Sequence, residues 1–455
     1  MIFERLRRVL TPRAVAAAIL IAGYGVMLAV NLPGHFEFDS IRQLIEGRRG
    51  VYSNWHPPVM SWLLGVADAL VPGASPFVVF DASLAFGAIL SLLWLAPRPR
   101  WPAVAAAALC VALPQLFLFQ AIVWKDMLFA DALLAGFAAL AHAVMQRGRW
   151  RLALLGLAAV LLALAALTRQ NGATILPCAA LAIGWVVARE SGWRLGLRDG
   201  AGFLVACAVL ALGGNALLQL RASQALGATE QIEDLQLYDI AGLMARDPTL
   251  KLPILEVQAP GMAKIMREKG AALYTPAGHD RLSDESGMGP FIVESVGPVR
   301  RQWWALVTSR PLAWFAVRAA DFAWLFTSTH PDECMTYAVG IDGPAEDMKA
   351  AGLVPRRDAR DEWLDDSYAT PLLETPALSH PVFAGLGALC LVLLLRRRRP
   401  ADIAMAGLLI AAALYAASYF IIAIACEYRY LFAIDLSAIA AAFYVAMDWR
   451  IQAKE

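Results

Sequence analysis

The amino-acid sequence predicts an all-α polytopic membrane protein with about ten transmembrane helices, interfacial helices and an extracytoplasmic cap. Of its 455 residues, 59% are hydrophobic and only 17% are charged, whereas about a quarter of the residues in a soluble domain are charged. The apolar residues also fall in runs of about 20, the length that crosses the hydrocarbon core as a helix. The net charge of +1 gives no basic field, so we expect no nucleic-acid partner.

Ten apolar runs are long enough to cross a membrane as helices. Two shorter or more broken runs, 57–71 and 303–327, are expected to lie as helices at the membrane interface. The predicted spans are 14–32, 77–96, 102–122, 127–146, 151–168, 172–189, 200–221, 379–395, 401–424 and 430–448.

Arginine placement predicts the orientation of these spans, because short Arg-rich loops stay in the cytoplasm. If 57–71 and 303–327 do not span, all Arg clusters fall on one side of the membrane, and any other assignment splits them. We therefore expect both termini in the cytoplasm of a bacterial inner (plasma) membrane. The first run is long and no small-residue cleavage site follows it, so it is interpreted as an anchor. The clusters are Arg5 to Arg13, Arg98 with Arg100, 147–151, 189–198 and 396–399.

The chain is expected to divide into three parts. Residues 1–221 form an N-terminal transmembrane module with a first outer loop at 33–76, and residues 222–378 form a cap that includes the interfacial helix. Residues 379–455 form the C-terminal transmembrane helices. Five of the six cysteines lie in apolar runs, which leaves Cys334 in a polar stretch. We therefore expect neither a disulfide framework nor a cysteine metal site.

The first outer loop holds two acids and a histidine that could carry chemistry. Glu37 and Asp39 follow the first span, and a partly desolvated carboxylate there is suited to act as a general base toward a hydroxyl. Local sequence alone favours a solvated loop acid or a helix N-cap instead. In His56-Pro57-Pro58, the proline pair starts a helix and directs His56 at the loop. A single histidine is as often a structural hydrogen-bonding group.

A second polar corner opens the span that follows residue 122. Charge is costly at the start of an otherwise apolar helix. Lys125 and Asp126 can reach the interface with their polar ends, but Asp131, one turn further in, needs a partner or an aqueous cavity. A functional role is therefore slightly favoured for this corner.

Two more polar corners fall on the same face under this topology. They contain Arg169-Gln170 and Arg429-Tyr430. Two guanidinium groups at headgroup depth are suited to hold a phosphate bidentately, although each arginine alone is also typical of an interfacial anchor. Together, the acids and cations indicate a site that binds a phosphorylated lipid and moves protons.

These motifs resemble the GT-C superfamily of polytopic glycosyltransferases, specifically the protein O-mannosyltransferase and lipid A aminoarabinose transferase group. That family has an acid after the first span, a Pro-Pro element followed by Trp, an Asp opening a later span and an Arg-Tyr-Leu element heading the last one. The resemblance covers the first 190 residues best and 222–378 hardly at all. It departs at Ser40, where the family usually has Glu, and at His56, where it often has Lys. The matching residues are Asp39, Gln43, Gly47, His56-Pro57-Pro58, Trp62, Asp126-Met127 and Arg429-Tyr430-Leu431.

The resemblance implies an inverting transfer of a sugar from a polyprenyl-phosphate-linked donor in the membrane lipid to a lipid, glycan or protein acceptor on the extracytoplasmic face. Asp39 would deprotonate the acceptor hydroxyl, and Asp126 would orient the acceptor or a cation. A divalent cation, Mg²⁺ or Mn²⁺, held by these two acids stays open. The residues implied in binding the substrate and neutralising its phosphate are Glu37, His56, Lys125, Arg169, Gln170, Arg429 and Tyr430.

Two other functions are compatible with parts of the sequence. A transporter or flippase of a lipid-linked or anionic substrate would need Asp81, Asp131 and Asp435 to titrate in a connected internal cavity, and the other charges lie at one face rather than near the midplane. An acyl or phosphoethanolamine transferase would need a histidine-rich or metal-ligand cluster outside the membrane. The outer histidines are too scattered for one: His279, His330 and His380.

Overall fold

The computed structural model describes residues 11–53, 55–220, 228–327 and 331–450, so His330 lies outside the described residues. The described chain is helical, with isolated β-bridges where loops meet. The predicted all-α membrane fold is confirmed. Ten helices precede residue 221: α1 Pro12–Asn31, α2 Phe38–Arg49, α3 Pro58–Leu70, α4 Ser75–Leu92, α5 Trp101–Ala112, α6 Pro114–Phe117, α7 Lys125–Ala143, α8 Gly148–Thr168, α9 Leu176–Ser191 and α10 Trp193–Gln219.

The part between residues 228 and 372 combines three long helices with several short ones. The prediction of one interfacial helix over 303–327 is wrong, because two helices meet at Arg310. Pro311 begins the second one, at a first-turn position where the missing N–H of proline costs no hydrogen bond. The helices are α11 Ala228–Arg246, α12 Pro253–Gln258, α13 Pro260–Ile265, α14 Ala271–Leu273, α15 Asp280–Ser286, α16 Gly289–Ser309, α17 Pro311–Thr327, α18 Ala345–Ala350 and α19 Ala359–Glu362.

The chain ends in three long helices, α20 His380–Arg397, α21 Pro400–Ile422 and α22 Phe432–Met447, the last preceded by a 3₁₀ turn at Tyr428–Leu431. Nine of the described helices are long and apolar enough to cross a membrane. The pair formed by α5 and Pro114–Ala121 is bent by 65°, and it makes a tenth crossing if it is counted as one broken span. Pro114 explains the break, because it removes a helical hydrogen bond. Helix α3 has 13 residues and is too short to span.

The expectation of no disulfide is wrong, since Cys334 and Cys426 are bonded to each other. Helix α21 ends at Ile422, so Cys426 lies in the loop that follows this span rather than within an apolar helix. The two cysteines are separated by 92 residues, and no local pattern joins them. The other four cysteines are free and buried.

Residues of the cap form a buried apolar cluster of their own, separate from the large cluster between the spans. Its members come mainly from α11, α16 and α17 and include Tyr238, Val299 and Val317. The buried Arg318 pairs with Asp239 beside this cluster. Its Nη1 also donates to the backbone oxygen of Ala423, at 2.6 Å. The hydrogen bond from Arg318 therefore ties the cap to the end of span α21.

The arginine clusters meet at one end of the helix bundle. Arg13, at the start of α1, donates to the backbone oxygen of Ala96 at 2.6 Å. Arg189 donates to the backbone oxygen of Arg398 at 2.9 Å, and Arg399 pairs with Asp448 at 3.0 Å. The helix ends that carry these groups therefore share one face, which we call the arginine face.

Candidate active site

Five polar corners meet at the end of the bundle opposite the arginine face. They are the start of α2, the residue before Pro57-Pro58, the start of α7, the loop after α8 and the 3₁₀ turn before α22. Side-chain contacts join them directly, so the structure brings the nine predicted site residues together. They are Glu37, Asp39, His56, Lys125, Asp126, Arg169, Gln170, Arg429 and Tyr430.

Arg429 lies among three carboxylates. Its Nη2 is 2.8 Å from Asp39 Oδ2, and its Nη1 is 3.3 Å from Glu37 Oε1. Its Nε is 2.5 Å from Glu427 Oε2. A guanidinium presents its donors in a planar fork that matches carboxylate oxygens. All three nitrogens of this buried arginine therefore face an acid.

His56 lies between Asp39 and Lys125. Its Nε2 is 3.4 Å from Asp39 Oδ1, and its Nδ1 is 2.5 Å from Lys125 Nζ. Burial, followed by the charge of Lys125, lowers the pKa of His56 to about 4. We assign its proton to Nε2, because the lysine ammonium can only donate to Nδ1. The neutral imidazole then presents an N–H to Asp39.

Asp39 is held in its charged form. Burial alone would raise the pKa of its carboxyl, but Arg429, His56 and Lys125 together hold that pKa well below its usual range. Glu37 behaves in the opposite way, since burial raises its pKa against the opposing charge of Arg429. The two acids of the first outer loop therefore differ in proton affinity, and Asp39 is the ionised one.

Arg169 forms the second half of the site. Its Nη1 is 3.1 Å from Asp126 Oδ1, and its Nη2 is 2.5 Å from the Tyr419 hydroxyl. The ring of Tyr430 stacks on Tyr419, and its centroid lies 5.0 Å from the Arg169 guanidinium carbon and 5.6 Å from that of Arg429. One aromatic ring thus contacts both guanidinium groups.

Two predicted residues have contacts that tie parts of the site together. Glu37 is the N-cap of α2, accepting from the backbone nitrogens of Asp39 and Ser40, and Trp124 Nε1 donates to its Oε1 at 3.0 Å. The N-cap interpretation therefore holds for Glu37. Gln170 Nε2 donates to the backbone oxygen of Trp55 at 3.3 Å, which links the loop after α8 to the residue before His56.

Sequence reasoning did not select three residues that line the site. Trp124 lies under Arg429, with its ring centroid 5.1 Å from the guanidinium carbon, and Glu427 pairs with the same arginine. Tyr419 lies within span α21, where its hydroxyl is 2.9 Å from that of Tyr415. Two tyrosines four residues apart share a helix face. That spacing in an otherwise apolar span was the available signal for a polar inner face.

The donor set does not fit the divalent cation that the resemblance left open. Asp39 and Asp126 each face an arginine, at 2.8 Å and 3.1 Å. In the described ranges no group of three or more His, Cys, Asp or Glu side chains is arranged to hold a metal ion. Mg²⁺ and Mn²⁺ need several oxygen ligands, whereas the oxygens of these two acids face Arg429, His56 and Arg169.

The chain matches no protein-family model and no curated protein. Among solved structures, it is similar to the archaeal oligosaccharyltransferase AglB from Archaeoglobus fulgidus, in complex with an inhibitory peptide and a dolichol-phosphate. That similarity covers 94% of this chain and 50% of the other, with 15% identity and a TM-score of 0.42. The chain thus spans half the length of AglB. A likeness at this TM-score carries no argument, so the function is inferred from the site of this chain itself.

Proposed function

We propose that the chain is a membrane glycosyltransferase of the GT-C type, which transfers a sugar from a polyprenyl-phosphate-linked donor to an acceptor hydroxyl. One observation carries this proposal: an ionised carboxylate, Asp39, shares a buried network with Arg169 and Arg429 at the ends of membrane-spanning helices. Sugar transfer from a lipid phosphate needs a base for the acceptor and cations for the leaving phosphate. The network offers both at the ends of the spans, which is where the proposal puts the lipid phosphate.

The two arginines and Lys125 bind the donor phosphate. The arginines are suited to this because guanidinium forks bind phosphate oxygens bidentately, whereas an ammonium acts as a point charge. Their charge has most effect in a site with little water, where the phosphate becomes more negative as the sugar leaves. Asp126 positions Arg169 through the ion pair between them.

Asp39 takes the proton of the acceptor hydroxyl. The acceptor oxygen bonds to the anomeric carbon on the face opposite the phosphate, the bond from that carbon to the phosphate oxygen breaks, and polyprenyl phosphate leaves. A carboxylate with a lowered pKa is a weak base while Arg429 holds it. When the donor phosphate draws Arg429 away, the proton affinity of Asp39 rises. The base therefore becomes effective once the donor is bound.

Two features support an extracytoplasmic site with both termini in the cytoplasm. The arginine clusters lie at the opposite end of the bundle, where the positive-inside rule expects the cytoplasm. The Cys334–Cys426 disulfide lies three residues from Arg429 along the chain, and disulfides persist in oxidising compartments.

The transporter alternative receives less support from the buried acids. Asp81, Asp131 and Asp435 are almost completely buried. Asp131 accepts from Gln120, Asp435 contacts His380, and Asp81 interacts with Asp131. Acids fixed in this way suit a structural chain better than an ion pathway.

Mass analysis of envelope glycolipids and glycoproteins tests the function. The host lacks this chain and is complemented with wild type or with Asp39→Asn, at matched protein levels in the membrane. We expect one sugar increment to disappear in the deletion strain and to return only with wild type. Unchanged glycans in the deletion strain, or full rescue by Asp39→Asn, would overturn the proposal.

A further inference from the structure

The segment of residues 423–428 joins span α21 to the 3₁₀ turn that carries Arg429, and the cap holds it from several sides. Its residue Cys426 is bonded to Cys334, and the backbone nitrogen of Cys426 donates to the backbone oxygen of Ala277 at 2.8 Å. The backbone nitrogen of Tyr428 donates to the backbone oxygen of Met335 at 3.0 Å. The disulfide and these two hydrogen bonds connect the cap to the segment that directly precedes Arg429.

We propose that the Cys334–Cys426 disulfide is a positioning element for Arg429, so that tight binding of a lipid phosphate requires the oxidised protein. This inference rests on the proposed function, in which Arg429 binds the donor phosphate. Cys426 is three residues before Arg429, and residues 424 to 426 lie outside any helix, so no helical turn fixes their position.

The contacts of Arg429 explain why its backbone must be fixed. Its three nitrogens lie between 2.5 and 3.3 Å from three different carboxylates. A shift of about 1 Å is enough to break such contacts and to misplace a substrate-binding group. The disulfide restrains the segment covalently, whereas the neighbouring hydrogen bonds can open one at a time.

The cap has other restraints, so loss of the disulfide is not expected to unfold it. The cap cluster is built around Tyr238, Val299 and Val317, and neither cysteine belongs to it. The Arg318–Asp239 pair and the bond from Arg318 to Ala423 also remain when the sulfurs separate. The disulfide therefore acts on the course of the segment next to Arg429 more than on the cap as a whole.

The test measures the affinity for decaprenyl phosphate, using the full-length protein in lipid nanodiscs. Four proteins form a double-mutant cycle: wild type, Cys334→Ser/Cys426→Ser, Arg429→Lys and the triple variant. We expect the serine pair to weaken binding about tenfold in the wild-type background and to have no further effect beside Arg429→Lys, because both changes remove the same interaction. The pair Cys110→Ser/Cys178→Ser, which alters buried free thiols, serves as the matched control and should bind as wild type does.

Each other outcome overturns the inference in a recognisable way. Equal losses in both backgrounds would show a general structural effect that does not act through Arg429. Unchanged affinity in the serine pair would show that the disulfide is not needed for positioning. If wild type does not bind decaprenyl phosphate at all, both the inference and the proposed function fail. Should the serine pair fail to fold, wild type reduced after reconstitution, with its thiols counted, takes its place with the same expected losses.

Discussion

Among the buried carboxyl groups of the molecule, those at the candidate site and those in the interior of the helix bundle differ in the groups that face them. At the candidate site, Asp39 and Asp126 each form an ion pair with an arginine. In the interior, Asp81, Asp131 and Asp435 form no ion pair with lysine or arginine anywhere in the described part of the chain. Charges held in ion pairs with arginine can exchange for those of a ligand, whereas the interior acids have no arginine or lysine partner among the described residues to exchange.

The interior groups form a chain of contacts that ends beside the site. Gln120 Nε2 is 3.1 Å from Asp131 Oδ1 and 3.3 Å from the backbone oxygen of Gln115. Gln115 Nε2 donates to the Tyr428 hydroxyl at 3.0 Å, and that hydroxyl donates to Asp435. Tyr428 directly precedes Arg429. The interior chain therefore supports the turn beneath the site, while the site itself carries the exchangeable charge.

Replacing a carboxylate at the site should have the largest effect on turnover, and the same replacement in the interior should have little. Asp39→Asn should lower turnover by about a thousandfold, because removal of a general base costs roughly 10²–10⁴-fold. Asp131→Asn, the matched change in the interior, should stay within about threefold of wild type. Sugar incorporation in membranes that contain equal amounts of each variant measures both. Comparable losses in the two variants would remove the distinction between the regions.

Arginine replacement should have the next largest effect. Arg169→Lys keeps the charge but loses the planar guanidinium fork that contacts Asp126 and Tyr419. The kcat/KM for the donor should therefore fall about tenfold or more. Arg399→Lys on the arginine face is the control, since its pair with Asp448 takes no part in transfer. An equal fall in both variants would point to membrane insertion rather than to phosphate binding.

Tyr428→Phe should affect stability more than chemistry. It removes a hydroxyl shared by Gln115 and Asp435 and leaves two buried groups without that partner, which costs about 1–3 kcal/mol for each. The apparent melting temperature should drop by several degrees, while turnover of the folded protein falls less than tenfold. A wild-type melting temperature with lost turnover would instead place Tyr428 in the chemistry.

Replacing His56 should have the smallest effect, a change in how the stability of the protein depends on pH. Its pKa is about 4 in the folded protein and about 6.5 when unfolded. Between these values the unfolded chain binds a proton that the folded protein does not, so stability falls as pH drops from about 6.5 to about 4, by up to roughly 3 kcal/mol. Asp39 contributes mainly below this window, because its carboxyl in the unfolded chain binds protons chiefly near its usual pKa of 3.8. His56→Gln should therefore show a shallower fall in melting temperature across this window, and an unchanged slope would contradict the burial of a neutral imidazole.

Span positions and polar corners could be predicted from the sequence because both depend on local composition. The apolar runs correspond to the spans, with α5 and Pro114–Ala121 as a bent pair, and the site residues stand out as charges at helix ends. Long-range pairing could not be predicted: Glu37 and Arg429 meet across 392 residues of chain. The disulfide was missed for the same reason, since the partner of Cys334 is set by the path of the chain after Ile422.

The affinity of Asp39→Asn for decaprenyl phosphate tests the central claim, that Arg429 exchanges Asp39 for the donor phosphate. In the wild-type protein, the phosphate must displace a charged carboxylate that lies 2.8 Å from Arg429. Because an amide holds the guanidinium less strongly, we expect this inactive variant to bind decaprenyl phosphate about tenfold more tightly than wild type, with Asp131→Asn unchanged. Equal or weaker binding by Asp39→Asn would contradict the exchange.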